Sequence, residues 1–154
     1  MKILILGGTF EARALASRLV ALAHQVTTSL AGRTSSPIQP KGKVRIGGFG
    51  GAVGLAAYLR AEAIDRLVDA THPYAAQISR NAVEATAETG TPLVRLMRPA
   101  WVEPPGAGWT VVATPTDAAA AVPAGSTVLL TTGHGGLEPF LCRSDCRLLV
   151  RLIE

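Results

Sequence analysis

The chain opens with a short apolar run, Ile3 to Leu6, that stops at Gly7-Gly8 and gives way to Thr9, Phe10, Glu11 and a helix-forming segment. That order reads as a buried parallel strand, a tight glycine turn and the start of a helix. Such a turn gathers free backbone N–H groups and the positive end of the helix dipole at one point, which suits a phosphate. A tight strand-to-helix turn that binds nothing would look the same, so the rest of the chain has to separate the two readings.

Strand and helix alternate beyond it. Strands at 2–6, 26–30, 44–46, 67–69 and 93–96 interleave with helices at 10–23, 52–62 and 74–89. Residues 31–42, with two prolines and several small polar residues, form a loop. Residues 98–108 carry three prolines and two glycines, which block regular structure and mark a linker. Past the linker, strands at 109–112, 128–132 and 148–153 alternate with helices at 116–122 and 137–143. The pattern predicts an α/β protein, a doubly wound, mostly parallel, Rossmann-like sheet over 1–97, with the start of a second α/β domain over 109–154. This second unit stops in mid-alternation. Either the chain is truncated or it completes its sheet with a partner, as in a homo-oligomer.

Bulk properties fit this class. Hydrophobic residues make up 48% and aromatic residues only 5%, so small aliphatic side chains do the packing, as in parallel sheets buried on both faces. The charge is +4, from 15 Lys+Arg against 11 Asp+Glu. Arginine dominates, which favours anionic ligands held in defined geometry. Nucleic acid is disfavoured because the basic residues are scattered, with no aromatic-laced stripe. No apolar run is long enough to span a membrane, and the amino terminus has no signal-peptide pattern, so the expectation is a cytoplasmic protein. The two cysteines, Cys142 and Cys146, are spaced by one helical turn, without the further ligands of a zinc site. They read as two helix thiols, and no metal is expected.

In such sheets ligands collect at the carboxyl ends of the strands. Here those ends carry Gly7-Gly8-Thr9, residues 29–33, 47–51, 69–74 and 131–136, five small or polar turns expected on one edge. Thr9 caps the helix or donates its hydroxyl to a phosphate. Glu11 lies in the first helical turn, where a carboxylate is favoured, and is in reach of a ribose hydroxyl. The end of the second strand lacks the acid that binds the 2′-hydroxyl of NAD. Ser29, Arg33 and Thr34 instead form a 2′-phosphate pocket, favouring NADP, unless Arg33 is simply solvated. In Gly47-Gly48-Phe49-Gly50-Gly51 the glycines permit close backbone approach, and Phe49 either packs on a planar ring or tucks into the core. His72, in Asp69-Ala70-Thr71-His72-Pro73-Tyr74, is suited to proton exchange near neutral pH, with Asp69 as its orienter or a ligand contact. Pro73 fits the first turn of a helix. Tyr-x-x-x-Lys, Gly-x-x-x-x-Gly-Lys-Ser/Thr and Gly-x-Ser-x-Gly are all missing, which argues against short-chain dehydrogenases, phosphate-loop ATPases and serine hydrolases.

Taken together, Ile-Leu-Gly-Gly-Thr-x-Glu-Ala-Arg at 5–13, Gly-Gly-Phe-Gly-Gly at 47–51, Asp-Ala-Thr-His-Pro-Tyr-Ala at 69–75, Arg-Pro-x-Trp at 98–101 and Leu-Leu-Thr-Thr-Gly at 129–133 resemble the precorrin-6A reductase family of cobalamin biosynthesis. The family is longer, with a complete second α/β domain. The resemblance implies NADP(H) as cofactor, a polycarboxylated tetrapyrrole (precorrin) as substrate, and hydride transfer to one double bond of the macrocycle. It implies cofactor binding by Gly8, Thr9, Phe10 and Glu11 at the phosphates, and by Ser29, Arg33 and Thr34 at the 2′-phosphate. Gly48, Phe49, Gly50, Thr71 and His72 would lie toward the nicotinamide end. His72 and Tyr74 are the implied catalytic residues, with His72 as proton donor. Arg98 and His134 are the candidates for the substrate's carboxylates. A non-catalytic NADP(H)-binding module and another NADP-linked oxidoreductase on the same scaffold stay open as alternatives.

Overall fold

A computed structural model describes residues 1–32, 39–99 and 101–152. It divides into two compact units, Met1–Pro99 and the residues beyond. The first unit holds five strands, β1 (Lys2–Leu6), β2 (Gln25–Leu30), β3 (Lys43–Ile46), β4 (Arg66–Asp69) and β5 (Leu93–Arg95). They form one sheet in the order β3-β2-β1-β4-β5, and every neighbouring pair is parallel. Helices α1 (Phe10–Ala21), α2 (Gly51–Ala61) and α3 (Ala76–Thr89) connect them. This is the doubly wound α/β architecture that the alternation predicts.

β1 lies in the middle because it is apolar on both faces. Its odd side chains, Ile3 and Ile5, join Val26 and Val68 against Ala12 and Ala16 of α1. Its even ones, Leu4 and Leu6, join Leu67 against Leu55, Ala56 and Leu59 of α2 and Ala82 and Ala85 of α3. Alanine on the inner helix faces lets the helices sit close to the sheet, and each fully buried leucine or isoleucine contributes about 1.5–3 kcal/mol. α3 ends at Gly90, whose φ of 71° is the left-handed cap expected there.

The strand order reverses at β1: β2 and β3 lie on one side, β4 and β5 on the other. A crevice at the carboxyl end of such a reversal is where ligands bind in this architecture. The ladder continues into the turns there. The N–H groups of Gly7, Gly47, Ala70 and Leu96 donate to the carbonyls of Ser29, Leu30, Leu6 and Asp69. The turns are therefore fixed to the sheet rather than left free above it.

The second unit contains α4 (Pro115–Ala121), β6 (Thr127–Leu130), a 3-10 turn (His134–Gly136), α5 (Glu138–Leu141) and β7 (Arg147–Val150). β6 and β7 pair in parallel, and Ala119, Leu130 and Phe140 form a small core. Thr114 and Asp117 build a reciprocal capping box, with Pro115 just inside the helix. Two expectations fail here. No strand forms at 109–112, because that stretch finds no pairing partner among the described residues and Val111 is 89% exposed. Cys142 and Cys146 do not share a helix either: Cys142 closes α5, and Cys146 follows a turn before β7. That turn is made by Arg143, whose guanidinium binds the carbonyls of Ala119 and Val122 and the Asp145 carboxylate.

Candidate active site

The glycine turn after β1 is open. Gly8 has a φ of 114°, and among the described residues no atom beyond its chain neighbours lies within 4 Å of where its Cβ would be. It is exposed, two residues before the first residue of α1. Thr9 is committed elsewhere. Its hydroxyl accepts from Ala12 N–H at 3.1 Å as the helix cap and donates to the Ala70 carbonyl at 2.9 Å. Of the two readings of Thr9, the helix cap is the one found: its proton ties the β1 turn to the β4 turn rather than being free for a phosphate, and only the backbone of Thr9 is left to meet a ligand. Phe10 is exposed, with the Arg13 guanidinium 5.9 Å from its ring centroid. Glu11 pairs with Arg98 at 3.1 Å. Hydrogen bonding from its own backbone N–H, and then the Arg98 charge, holds the Glu11 carboxyl below its ordinary range despite some desolvation.

At the end of β4, Asp69 is 2% exposed and fully engaged. One carboxylate oxygen accepts from the N–H and the hydroxyl of Thr71, at 3.1 and 2.6 Å. The other accepts from the buried Ser79 hydroxyl of α3 at 2.6 Å and lies 3.5 Å from Arg95 Nε. Asp69 therefore does not orient His72, as the sequence had suggested. Its oxygens are consumed by the turn that carries the histidine. His72 Nδ1 accepts from Tyr74 N–H at 3.3 Å, and the two rings lie 5.0 Å apart, both exposed. The helix starts at Ala76, not at 74, because residues 73–74 form a turn closed by Ala75 N–H to the His72 carbonyl. A groove of about 350 Å³ beside it is lined by Pro73, Ser79, Arg80 and Arg95 among others.

At the end of β3 the structure brings in a residue that the sequence reading overlooked. Arg45 donates to the carbonyls of Gly47 and Gly48 and to Ser29 Oγ. Its guanidinium lies 3.8 Å from the Phe49 ring centroid. Phe49 packs edge-on to Tyr58 and against the core, so one ring face is already covered. Gly50 takes the left-handed conformation that starts α2. An arginine two residues before Gly-Gly-Phe was the available signal, since its fork reaches the carbonyls of the turn that follows it.

Gly8, Thr9, Phe10, Glu11, Ser29, Gly48, Phe49, Gly50, Thr71, His72 and Tyr74 thus lie on one edge of one sheet. The expected grouping of Gly48–Gly50 with Thr71–Tyr74 is not found. The first follows β3 and the second β4, three strand spacings apart, or about 14 Å. Arg98 is occupied by Glu11. Arg33 and Thr34 lie outside the described residues, and His134 is described only as part of the 3-10 turn. Among the described residues no cluster of three or more His, Cys, Asp and Glu could hold a metal, and no helix is long and apolar enough to cross a membrane.

A family model described as precorrin-6x reductase CbiJ/CobK matches residues 2–154. A precorrin-6A reductase of Rhodococcus erythropolis is 49% identical over 155 residues, taking in 99% of this chain and 62% of its own. One from Mycobacterium tuberculosis is 44% identical over 158 residues, 99% of this chain and 61% of its own. A solved structure of a CobK precorrin-6A reductase matches with a TM-score of 0.93 at 41% identity, covering 100% of this chain and 62% of that one. The chain spans about three-fifths of the length of these relatives.

Proposed function

The chain belongs to the precorrin-6x reductase family, and on that premise we propose that it binds NADPH along the carboxyl edge of its five-stranded sheet and serves reduction of one double bond in a polycarboxylated precorrin. The observation that carries this reading is the open Gly8 backbone at the amino terminus of α1, beside the strand reversal. Backbone N–H groups there suit a pyrophosphate. Fit at the far end is supported by Ser29 standing where an NAD-selective site has an acid, with a guanidinium behind it.

Residue roles follow from position. Gly8, Thr9 and Phe10 meet the phosphates through backbone N–H groups. Glu11 would repel them, and its pairing with Arg98 offsets that charge. Ser29, Arg33 and Thr34 receive the 2′-phosphate, and Gly48, Phe49 and Gly50, being on the β3 side, border the adenosine half. Thr71 and His72, on the β4 side, border the nicotinamide half. NADPH supplies the hydride when bound. His72, with Tyr74 beside it, delivers the proton to the other end of the π system. Arg98, whose pairing with Glu11 leaves 39% of its side chain exposed, meets a substrate carboxylate. Residues 1–97 are the nucleotide-binding domain in this scheme, and the reaction belongs to the cytoplasm.

Calorimetric titration of the chain with NADPH tests the reading, followed by loss of nicotinamide absorbance with precorrin-6A. Saturable NADPH binding and turnover are expected. Binding without turnover favours a non-catalytic NADP(H) module, and no binding refutes the reading.

A further inference from the structure

We propose that Arg45 is a specificity-determining residue that selects a 2′-phosphorylated dinucleotide. The inference rests on the dinucleotide reading above and deepens it. Arg45 is in register with Ser29, the two facing each other across β3 and β2 at the last rows of the sheet. Its Nη1 lies 3.2 Å from Ser29 Oγ. The end of β2 is where a dinucleotide fold meets the adenosine ribose, and the residues there separate a 2′-hydroxyl from a 2′-phosphate.

Three observations make Arg45 more than a brace. First, it is held rigidly: two carbonyls and a hydroxyl fix the edge of its guanidinium, and Phe49 fixes one face. A preorganised cation loses little entropy when an anion arrives. Second, its partners are neutral. Among the described residues no carboxylate forms an ion pair with it, whereas Arg60, Arg95, Arg98 and Arg143 each have one. Its charge is therefore not cancelled locally. Third, it is only half-buried, and its guanidinium has five N–H donors, not all of which the three bonds use. A phosphate monoester is a ligand group that such donors bind through charge-assisted bonds.

The test compares NADPH and NADH affinity for the unaltered chain and for Arg45→Gln by calorimetry. NADPH affinity is expected to fall roughly tenfold or more, the scale of one charge-assisted phosphate contact, with NADH affinity nearly unchanged. Equal loss for both nucleotides would mean that Arg45 only braces the glycine turn, and the proposal would be overturned while the dinucleotide reading stood. If the unaltered chain binds neither nucleotide, that reading fails and takes the proposal with it. Should Arg45→Gln not fold, the Arg45 Nε–H resonance of the unaltered chain serves instead. It is expected to shift on addition of adenosine 2′,5′-bisphosphate and not of 5′-AMP, and an unchanged resonance with both overturns the assignment.

Discussion

Gly7 and Thr28 offer a direct test of how the β1 turn is built. A Cβ placed on Gly7 would lie 2.7 Å from Thr28 Cγ2, with Leu30 Cδ2 and the Ser29 carbonyl oxygen each at 3.5 Å. Ordinary carbon contacts are about 3.5–4.0 Å, so Gly7→Ala overlaps the methyl by about 1 Å. Thr28 is fully buried and Gly7 N–H is tied to the Ser29 carbonyl, so neither side gives way freely. Overpacking of this kind costs about 1–3 kcal/mol. Reduced freedom of the unfolded chain returns about 0.4–1 kcal/mol. Thr28→Ser alone deletes a buried methyl, at about 1 kcal/mol. In the double variant the new Cβ occupies the vacated space, so the two losses should fail to add by about 1 kcal/mol or more. Urea unfolding followed by far-UV circular dichroism measures this. Both tryptophans, Trp101 and Trp109, lie outside Met1–Pro99, so their fluorescence reports the second unit separately. Losses that add to within about 0.5 kcal/mol would refute the steric argument.

Gly54→Ala, favourable by about 1 kcal/mol on helix propensity, should instead destabilise the first unit in the same unfolding assay. Its Cβ would fall 1.8 Å from the Phe49 carbonyl oxygen, and a stabilised variant would contradict the described turn. Asp69→Ala leaves the buried Ser79 hydroxyl and both Thr71 donors without their acceptor. A loss of about 2–4 kcal/mol is expected, and an unchanged denaturation midpoint would show that the network carries no weight. Asp145 is held at about 2, against an ordinary 3.8, first by the Arg143 hydrogen bond. Its folded value is the depressed one, so its contribution is complete above the ordinary value and lost as pH falls toward 2. Acid titration of tryptophan fluorescence should show that loss, and Asp145→Asn should remove it.

The alternation of apolar runs and glycine turns was enough to read the five-stranded sheet. Each signal was local: a short stretch with two to four aliphatic residues, then Gly-Gly, Gly-Gly-Phe or Thr-His-Pro. What was misread depends on distant partners. For Thr9 the cap was legible, but not the acceptor that takes its proton, the Ala70 carbonyl 61 positions away. Asp69 looked like the partner of His72, three residues on, but Ser79 and Arg95 claim one oxygen and Thr71 the other. Residues 109–112 have the composition of a strand, and a strand exists only where another strand accepts its hydrogen bonds.

Strand register was the least legible property, and it governs the electrostatics of the site. Leu6 pairs with Ser29 on one side and Asp69 on the other, Ser29 pairs with Arg45, and Asp69 pairs with Arg95. Arg45, Ser29, Leu6, Asp69 and Arg95 therefore form one row across the sheet, directly below the turns. On the β4–β5 side, Asp69 and Arg95 face each other at 3.5 Å and largely cancel. On the β2–β3 side, Arg45 meets only carbonyls and a hydroxyl, which satisfy its donors without matching its charge. One edge thus presents a net positive end and a neutralised end, about 14 Å apart. The proposed 2′-phosphorylated dinucleotide would set its extra phosphate at the positive end. The same reasoning says that adding a carboxylate at position 29 should erase the match, because Ser29→Asp would pair with Arg45 and return the site to the arrangement that binds a bare 2′-hydroxyl.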